Sequence, residues 1–241
     1  MNLRSFGIRL GTNSLFFFTA IALSITAASA TQTFTGTIAK LSDGDTLQFL
    51  PTGQTKVFKV RMIAIDTAET HLGVPGGVAT QGYWGDMGAD QLAKYISIGD
   101  EAVLEVYGED KYQRKLGRII KNGEDINLKM LASGWASLFV LCEAGAKCQS
   151  GNLSDLELKA YRQACNSAVQ KGLGLFDPAR PVPELPFVFR AREQNLDLTK
   201  FVANLAKKTY AKPNQYASVP ICDRLFYLNE NDVLKNGFRN K

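Results

Sequence analysis

The chain of 241 residues is 45% apolar and 21% charged, with 28 Lys+Arg against 23 Asp+Glu, a formal net charge of +5. That apolar share supports a packed core and excludes a disordered or low-complexity polypeptide. The single histidine, His71, excludes any mechanism that needs a histidine pair, and the lack of C-x-x-C spacing removes support for a zinc knuckle or a redox motif.

The first element is a targeting segment. Arg4 and Arg9 are the only charges in residues 1–30, an apolar run follows over residues 15–28, and Ala28-Ser29-Ala30 closes it. That order reads as a secretory signal peptide cleaved after Ala30. The run is about 14 residues, against the roughly 20 of a spanning helix, which ranks an uncleaved anchor second. An exported, periplasmic or extracellular monomer is expected, with no stable membrane association once the signal is removed. An oxidising destination turns Cys142, Cys148, Cys165 and Cys222 into two disulfides, in any of three pairings.

Residues 33–41 are β-prone, and Asp43-Gly44 is a hairpin turn signal before a second strand at residues 46–50. After the turn at Pro51-Thr52-Gly53, residues 56–65 predict one third strand, with Phe58, Val60, Met62 and Ala64 on one face. A Gly-rich loop (73–82) leads to a helix over about residues 85–96, and residues 102–107 and 116–121 give two more strands. Asp125 caps a short helix that stops at Gly134, and Ser154-Asp-Leu-Glu157 is a capping box for a longer one. On that helix Leu158, Tyr161, Cys165 and Ala168 share a face, so Cys165 should point inward. The pattern predicts an α+β fold dominated by β. Its centre is a five-stranded barrel of the oligonucleotide-binding (OB-fold) kind with about three helices, and an α/β extension follows.

Residues 1–30 are thus read as signal, 31–176 as the barrel domain and 177–241 as a proline-rich linker and basic extension. Pro178, Pro181, Pro183 and Pro186 mark the linker. Beyond it, Leu198, Phe201, Val202 and Leu205 have helical spacing, residues 219–228 are β-prone, and the extension is expected to pack on the barrel. Residues 31–177 carry 15 Lys+Arg against 17 Asp+Glu, whereas residues 178–241 carry 11 against 6, so any diffuse attraction for a polyanion comes from the extension.

Three stretches could carry chemistry: Asp43-Gly44-Asp45-Thr46, then Arg61 through Asp66-Thr67-Ala68-Glu69-Thr70, then Asp110-Lys111-Tyr112-Gln113-Arg114. Singly each has a plain structural reading, as a turn, a cap or a solvated charge. Together they are more specific. A charge such as Arg61 in an apolar strand needs a partner or an anion. If the strands close as a barrel, Asp45, Asp66 and Glu69 converge at one mouth, where three carboxylates repel unless a cation sits among them. Oxygen donors alone select a hard cation, Ca²⁺ or Mg²⁺.

With those motifs in that order, residues 33–176 resemble the staphylococcal (micrococcal) nuclease, or thermonuclease, family, whose signatures are D-G-D-T, R-x-x-x-x-D-T-x-E-T and D-[KR]-Y-x-R. The resemblance implies a calcium-dependent endonuclease acting on DNA and RNA with low sequence specificity, leaving 3′-phosphates. It implies that Asp45, Asp66 and the Thr67 carbonyl bind Ca²⁺, that Glu69 holds or deprotonates the attacking water, and that Arg61 and Arg114 clamp the phosphate. Lys111 and Tyr112 would contact substrate, and single strands would be preferred, since a small barrel mouth accepts a flexible backbone. Three departures stand out: Ala68 replaces the usual Pro, Gln113 replaces the usual Gly, and Phe139, Val140, Leu141 and Cys142 stand where the type member places base-stacking tyrosines. The rival readings are a non-catalytic binding module on the same barrel and a calcium site that serves stability alone.

Overall fold

The structure is a computed structural model that describes residues 32–70, 81–142, 153–195 and 197–240. Residues 1–30, where a signal peptide is expected, His71, most of the Gly-rich loop and Cys148 lie outside the described residues. Among those described, no helix is long and apolar enough to cross a membrane.

The chain order is β1 (Gln32–Leu41), β2 (Thr46–Pro51), β3 (Phe58–Met62), β4 (Ala64–Thr67), α1 (Gly82–Tyr95), β5 (Glu101–Glu109), β6 (Lys115–Lys121), β7 (Glu124–Asp125), α2 (Ile126–Ala132), β8 (Ala136–Cys142) and α3 (Asp155–Gln170). The extension then adds α4 (Pro186–Glu193), β9 (Phe201–Asn204), β10 (Thr209–Ala211), β11 (Arg224–Tyr227), α5 (Glu230–Lys235) and β12 (Arg239–Asn240). Antiparallel pairings run β3-β2-β1-β5-β6, and a parallel β3–β6 pairing closes the five strands into a barrel. Its interior is filled by the inward residues of the alternating strands, Ile38, Leu47, Phe49, Val60, Met62, Leu104 and Ile119, all buried. Register shifts at Ile38/Lys40 and Val106/Gly108 are bulges, which bend strands enough to close so small a barrel. The expected five-stranded barrel with three helices and an α/β extension is what forms.

The single third strand predicted over residues 56–65 is instead two. Ala64 has φ 61°, a left-handed conformation that a small residue tolerates better than a β-branched one, and the chain turns out of the barrel there. Strand β4 therefore leaves β3 and pairs antiparallel with β8, Asp66 opposite Ser137 and Thr67 opposite Ala136. Alternation of apolar residues runs unbroken through the corner, which is why sequence pattern cannot see it.

That corner starts a second sheet, ordered β12-β10-β9-β11-β8-β4. Strand β11 pairs parallel with β8, Leu225 opposite Val140, so the extension continues a sheet whose other strands hold Asp66 and Thr67. The helical spacing of residues 198–205 is overturned here: Phe201–Asn204 is strand β9, lying between β10 and β11. A strand in a sheet covered on both faces shows a continuous apolar run, and a run this short does not distinguish strand from helix. The proline-rich segment lies against α1: Trp84 Nε1 donates to the Arg180 carbonyl at 3.1 Å, and Gln81 Nε2 to the Glu184 carbonyl at 2.8 Å. Pro186 then opens α4 in its first turn, where a missing N–H costs nothing.

Helix α3 carries the expected capping box, and its Leu158, Tyr161, Cys165 and Ala168 are buried. Arg118 locks α3 to the barrel by pairing with Glu105, Asp125 and Glu157, while Tyr161 Oη donates to Asp125 at 2.8 Å. Cys165 is disulfide-bonded to Cys222 across 57 residues of sequence, and Cys142 is also disulfide-bonded. Closing a loop of that length is worth about 4 kcal/mol through the unfolded chain's lost entropy. The Cys165→Ser/Cys222→Ser variant should therefore unfold at a clearly lower urea concentration than the wild type. An unchanged midpoint would mean that sheet pairing alone holds the extension.

Candidate active site

The first motif is a tight turn. Ser42 N donates to the Thr46 carbonyl at 2.9 Å, and Asp45 N to Asp43 Oδ1 at 2.9 Å. This aims the Asp45 carboxylate inward, where it is only 1% exposed. Its Oδ2 accepts from Thr67 N at 2.8 Å, and its Oδ1 accepts from Thr46 Oγ1 at 3.1 Å and from Arg61 Nη1. Thr46 and Arg61 face each other across the β2–β3 ladder, so the hairpin register brings the two motifs together.

Arg61 reaches from β3 to the strand that leaves the barrel, donating Nη2 to Asp66 Oδ1 at 2.6 Å. Asp66 is 0% exposed, and its Oδ2 has no hydrogen-bond partner. A buried carboxylate oxygen left bare is costly and calls for a donor or a cation. Burial and then Asp45 push the Asp43 carboxyl up to about 7, the mark of crowded acids. Burial opposes the charge on Arg61, but Asp45 and Asp66 outweigh it and hold its guanidinium above the usual arginine range.

Glu69 lies three residues beyond Asp66 and is part-exposed. Its backbone N–H donates to Gln81 Oε1 at 3.2 Å, and Gln81, fully buried, also holds the Glu184 carbonyl. With Ala68 in place of proline, a side-chain amide positions this segment. Helix α1 presses close against it: a Cβ on Gly85 would stand 2.3 Å from the Glu69 carbonyl oxygen, so only glycine fits.

The unforeseen member is Arg190, on α4. Its Nη1 donates to Glu69 Oε1 at 2.7 Å and its Nη2 to Asp66 Oδ1 at 2.6 Å. Burial works against its charge, while Asp66 and Glu69 more than restore it. Its one local signal is an arginine set beside Phe187, Val188 and Phe189 in a short amphipathic stretch, and nothing local connects it to motifs more than a hundred residues away.

Arg114 is held by Asp110, whose Oδ2 accepts from Nε at 2.8 Å and whose Oδ1 accepts from the backbone N–H groups of Tyr112 and Arg114. Burial would raise the Asp110 carboxyl, but those bonds from Arg114 hold it below the usual range. Gln113 takes φ 62°, so the turn keeps the left-handed residue that glycine would supply. Arg61 and Arg114 line one cavity of about 220 Å³ with Asp110 and Phe139. Arg114 and Arg190 line an adjoining one of about 290 Å³. Tyr112 stands at the rim of the second cavity, 62% exposed, whereas Lys111 lines neither and rests over the Tyr112 ring at 5.0 Å.

Asp45, Asp66 and Glu69 are therefore linked by the guanidiniums of Arg61 and Arg190 into one group, with Arg114 at its edge. Among the described residues no three His, Cys, Asp or Glu side chains form a ready-made metal cluster. Asp45 and Asp66, the latter with a bare buried oxygen, still offer oxygen donors only, the chemistry that suits a hard dication.

Residues 59–167 match the protein family described as "Staphylococcal nuclease homologue". That matched stretch is similar to the staphylococcal nuclease family and takes in somewhat less than half of the chain. The match takes in Arg61, Asp66, Thr67, Glu69 and Arg114; Asp45 precedes it and Arg190 follows it. Among similar proteins, "Endonuclease YhcR" of Bacillus subtilis (strain 168) is 26% identical over 217 residues, covering 88% of this chain. The chain spans 17% of the length of that relative. An "Uncharacterized endonuclease" of Haemophilus influenzae is 29% identical over 184 residues, covering 76% of this chain and 88% of that one. Within the matched residues, the stretch of β8 after Leu138 faces the extension: Phe139 packs on Phe187 and Phe226, at 5.8 and 4.6 Å between ring centroids.

Proposed function

We propose that the protein is a calcium-dependent endonuclease that hydrolyses phosphodiester bonds of DNA and RNA with low sequence specificity, leaving 3′-phosphates, and that it acts as an exported monomer in the periplasm or outside the cell. The observation that carries this reading is the linkage of buried Asp45 and Asp66 to Arg61 beside Glu69, with Asp66 Oδ2 unpartnered. An enclosed group of acids and guanidiniums suits a bound phosphate and cation better than it suits a purely structural role.

Asp45, Asp66 and the Thr67 carbonyl would hold Ca²⁺, which when bound polarises a phosphoryl oxygen and acidifies water. Glu69 takes a proton from the attacking water, whose oxygen bonds to phosphorus as the bond to the 5′-oxygen breaks. Arg61 binds the non-bridging oxygens through its planar fork, and Arg114 stabilises charge growing on the departing 5′-oxygen. Lys111 and Tyr112, at or beyond the cavity rim, serve flanking parts of the strand. Single strands are preferred because the flexible backbone can enter chambers of a few hundred Å³ that a duplex cannot.

A non-catalytic binding module is the rival reading, disfavoured because the side chains of Asp45, Arg61, Asp66, Glu69 and Arg114 are all retained. Nicking of supercoiled plasmid separates the two. Nicking in millimolar calcium that stops with chelator and returns on recalcification is expected; no nicking under either condition would remove the enzyme reading.

A further inference from the structure

The larger of the two cavities has walls that the family domain does not supply. Arg114, Arg190 and Lys200 line it together with aromatic side chains. Phe139 comes from β8, but Phe187 comes from α4, Tyr216 from the 3₁₀ turn Pro213–Ser218 and Phe226 from β11. Their ring centroids lie 4.6–5.8 Å apart in edge-on and tilted pairs, a contiguous patch in which Phe139, Phe187 and Tyr216 remain partly exposed. Aromatic faces left open to a pocket offer a planar ligand a stacking surface.

Of the three cations around those rings, Arg114 is paired with Asp110 and Arg190 with Asp66 and Glu69. Lys200 has no hydrogen bond or ion pair among the described residues, and it is half-buried. Burial first, then Arg190, holds its ammonium below the usual lysine range, so an anion placed beside it would relieve an unfavourable site. Asp197 is the one carboxylate in the wall. At about 290 Å³ the chamber sits at the small end of ligand cavities, room for one nucleoside unit and too little for a duplex. It is continuous, through Arg114 and Arg190, with the carboxylate–arginine group.

We propose that this chamber is a nucleotide subsite built by the C-terminal extension, in which one base of a single-stranded substrate stacks on Phe187 and Tyr216 while Lys200 binds an adjoining phosphate. The proposal rests on the nuclease reading, whose active site it adjoins. It gives the extension's positive charge a located role in place of a diffuse one, and it adds Phe187 and Tyr216, from outside the matched residues 59–167, to the Phe139 ring of β8.

The test uses the full chain with EDTA present, so that nothing is cleaved. Fluorescence anisotropy measures the Kd of a labelled thymidine hexamer and of an abasic hexamer with the same number of phosphates. Wild-type protein should prefer the base-bearing oligomer by about tenfold, the scale of one stacked base. Tyr216→Leu, which keeps apolar bulk without a π face, should erase most of that preference and leave the abasic Kd nearly as it was. Lys200→Gln should weaken both oligomers about fivefold and lower the salt slope by about 0.7, one phosphate contact on a single strand. Unfolding midpoints within a degree or two of wild type would establish that both variants are folded. Equal binding of the two oligomers by wild type, or variants that retain its base preference and salt slope, would overturn the subsite. Plasmid nicking by the wild type, measured alongside, reports on the nuclease reading separately. Nicking without base preference removes the subsite alone, and base preference lost in Tyr216→Leu without nicking supports the subsite while removing the nuclease.

Discussion

Glu69→Gln is expected to lower the rate of phosphodiester cleavage by about 10²–10⁴-fold, the usual contribution of a positioned general base. The substitution is nearly isosteric, and the geometry around it is undemanding. Glu69 Oε1 accepts from Arg190 Nη1 at 2.7 Å, a bond that an amide oxygen can also accept. Arg190 retains Asp66 as its charged partner at 2.6 Å, so no guanidinium is left unpaired. Glu69 is 30% exposed, and the change strands no buried charge. Folding should therefore survive, and calcium affinity, which the proposed function assigns to Asp45, Asp66 and the Thr67 carbonyl, should change little. Nicking rates across a calcium titration, with calorimetric calcium binding and thermal unfolding beside them, check all three. A rate within threefold of wild type would remove Glu69 from the reaction. A rate that falls only in step with calcium affinity would favour a site that serves stability alone.

The parts of the molecule that the sequence discloses are those specified locally. The hairpin at Asp43-Gly44 sets the β1–β2 register, the capping box at Ser154 starts α3, and Asp125 accepts from Leu128 N as the cap of α2. The meeting of Asp45 with Arg61 follows almost directly from a hairpin plus a neighbouring strand, because Thr46 and Arg61 are cross-strand partners. What the sequence hides depends on long closure. The corner at Ala64 changes sheets without disturbing the apolar alternation, so the pattern predicts one strand where β3 and β4 stand. The parallel β8–β11 pairing joins residues about 85 apart and has no turn signature, since parallel strands need no tight connection. Arg190 depends on both: α4 reaches Asp66 and Glu69 only because the sheet begun by β4 and β8 is completed by the extension. A net-charge count over residues 178–241 registers that guanidinium only as one of 11 basic residues, with no hint that it pairs with Asp66 and Glu69.

Arg114→Ala should reduce kcat by about 10²–10³-fold with a much smaller change in KM, the signature of an interaction made chiefly in the transition state. Arg114 is 29% exposed and its guanidinium binds Asp110, so the alternative is that it only braces the β5–β6 turn. The turn has other supports. Asp110 Oδ1 accepts from the backbone N–H groups of Tyr112 and residue 114, and Asp110 N donates to the carbonyl of residue 114 at 3.0 Å, all of which survive in an alanine variant. Asp110 would lose a partner at a site where water can reach it, its side chain being 18% exposed, which limits the loss of stability. Arg114→Lys sharpens the test, because it keeps the charge and removes the planar fork that Asp110 now fixes. If the guanidinium meets the departing oxygen in a defined geometry, lysine should restore only a minor part of kcat while restoring most of any lost affinity. If Arg114 acts only as diffuse positive charge, lysine should recover both equally, and a kcat unaltered in the alanine variant would take Arg114 out of the mechanism altogether.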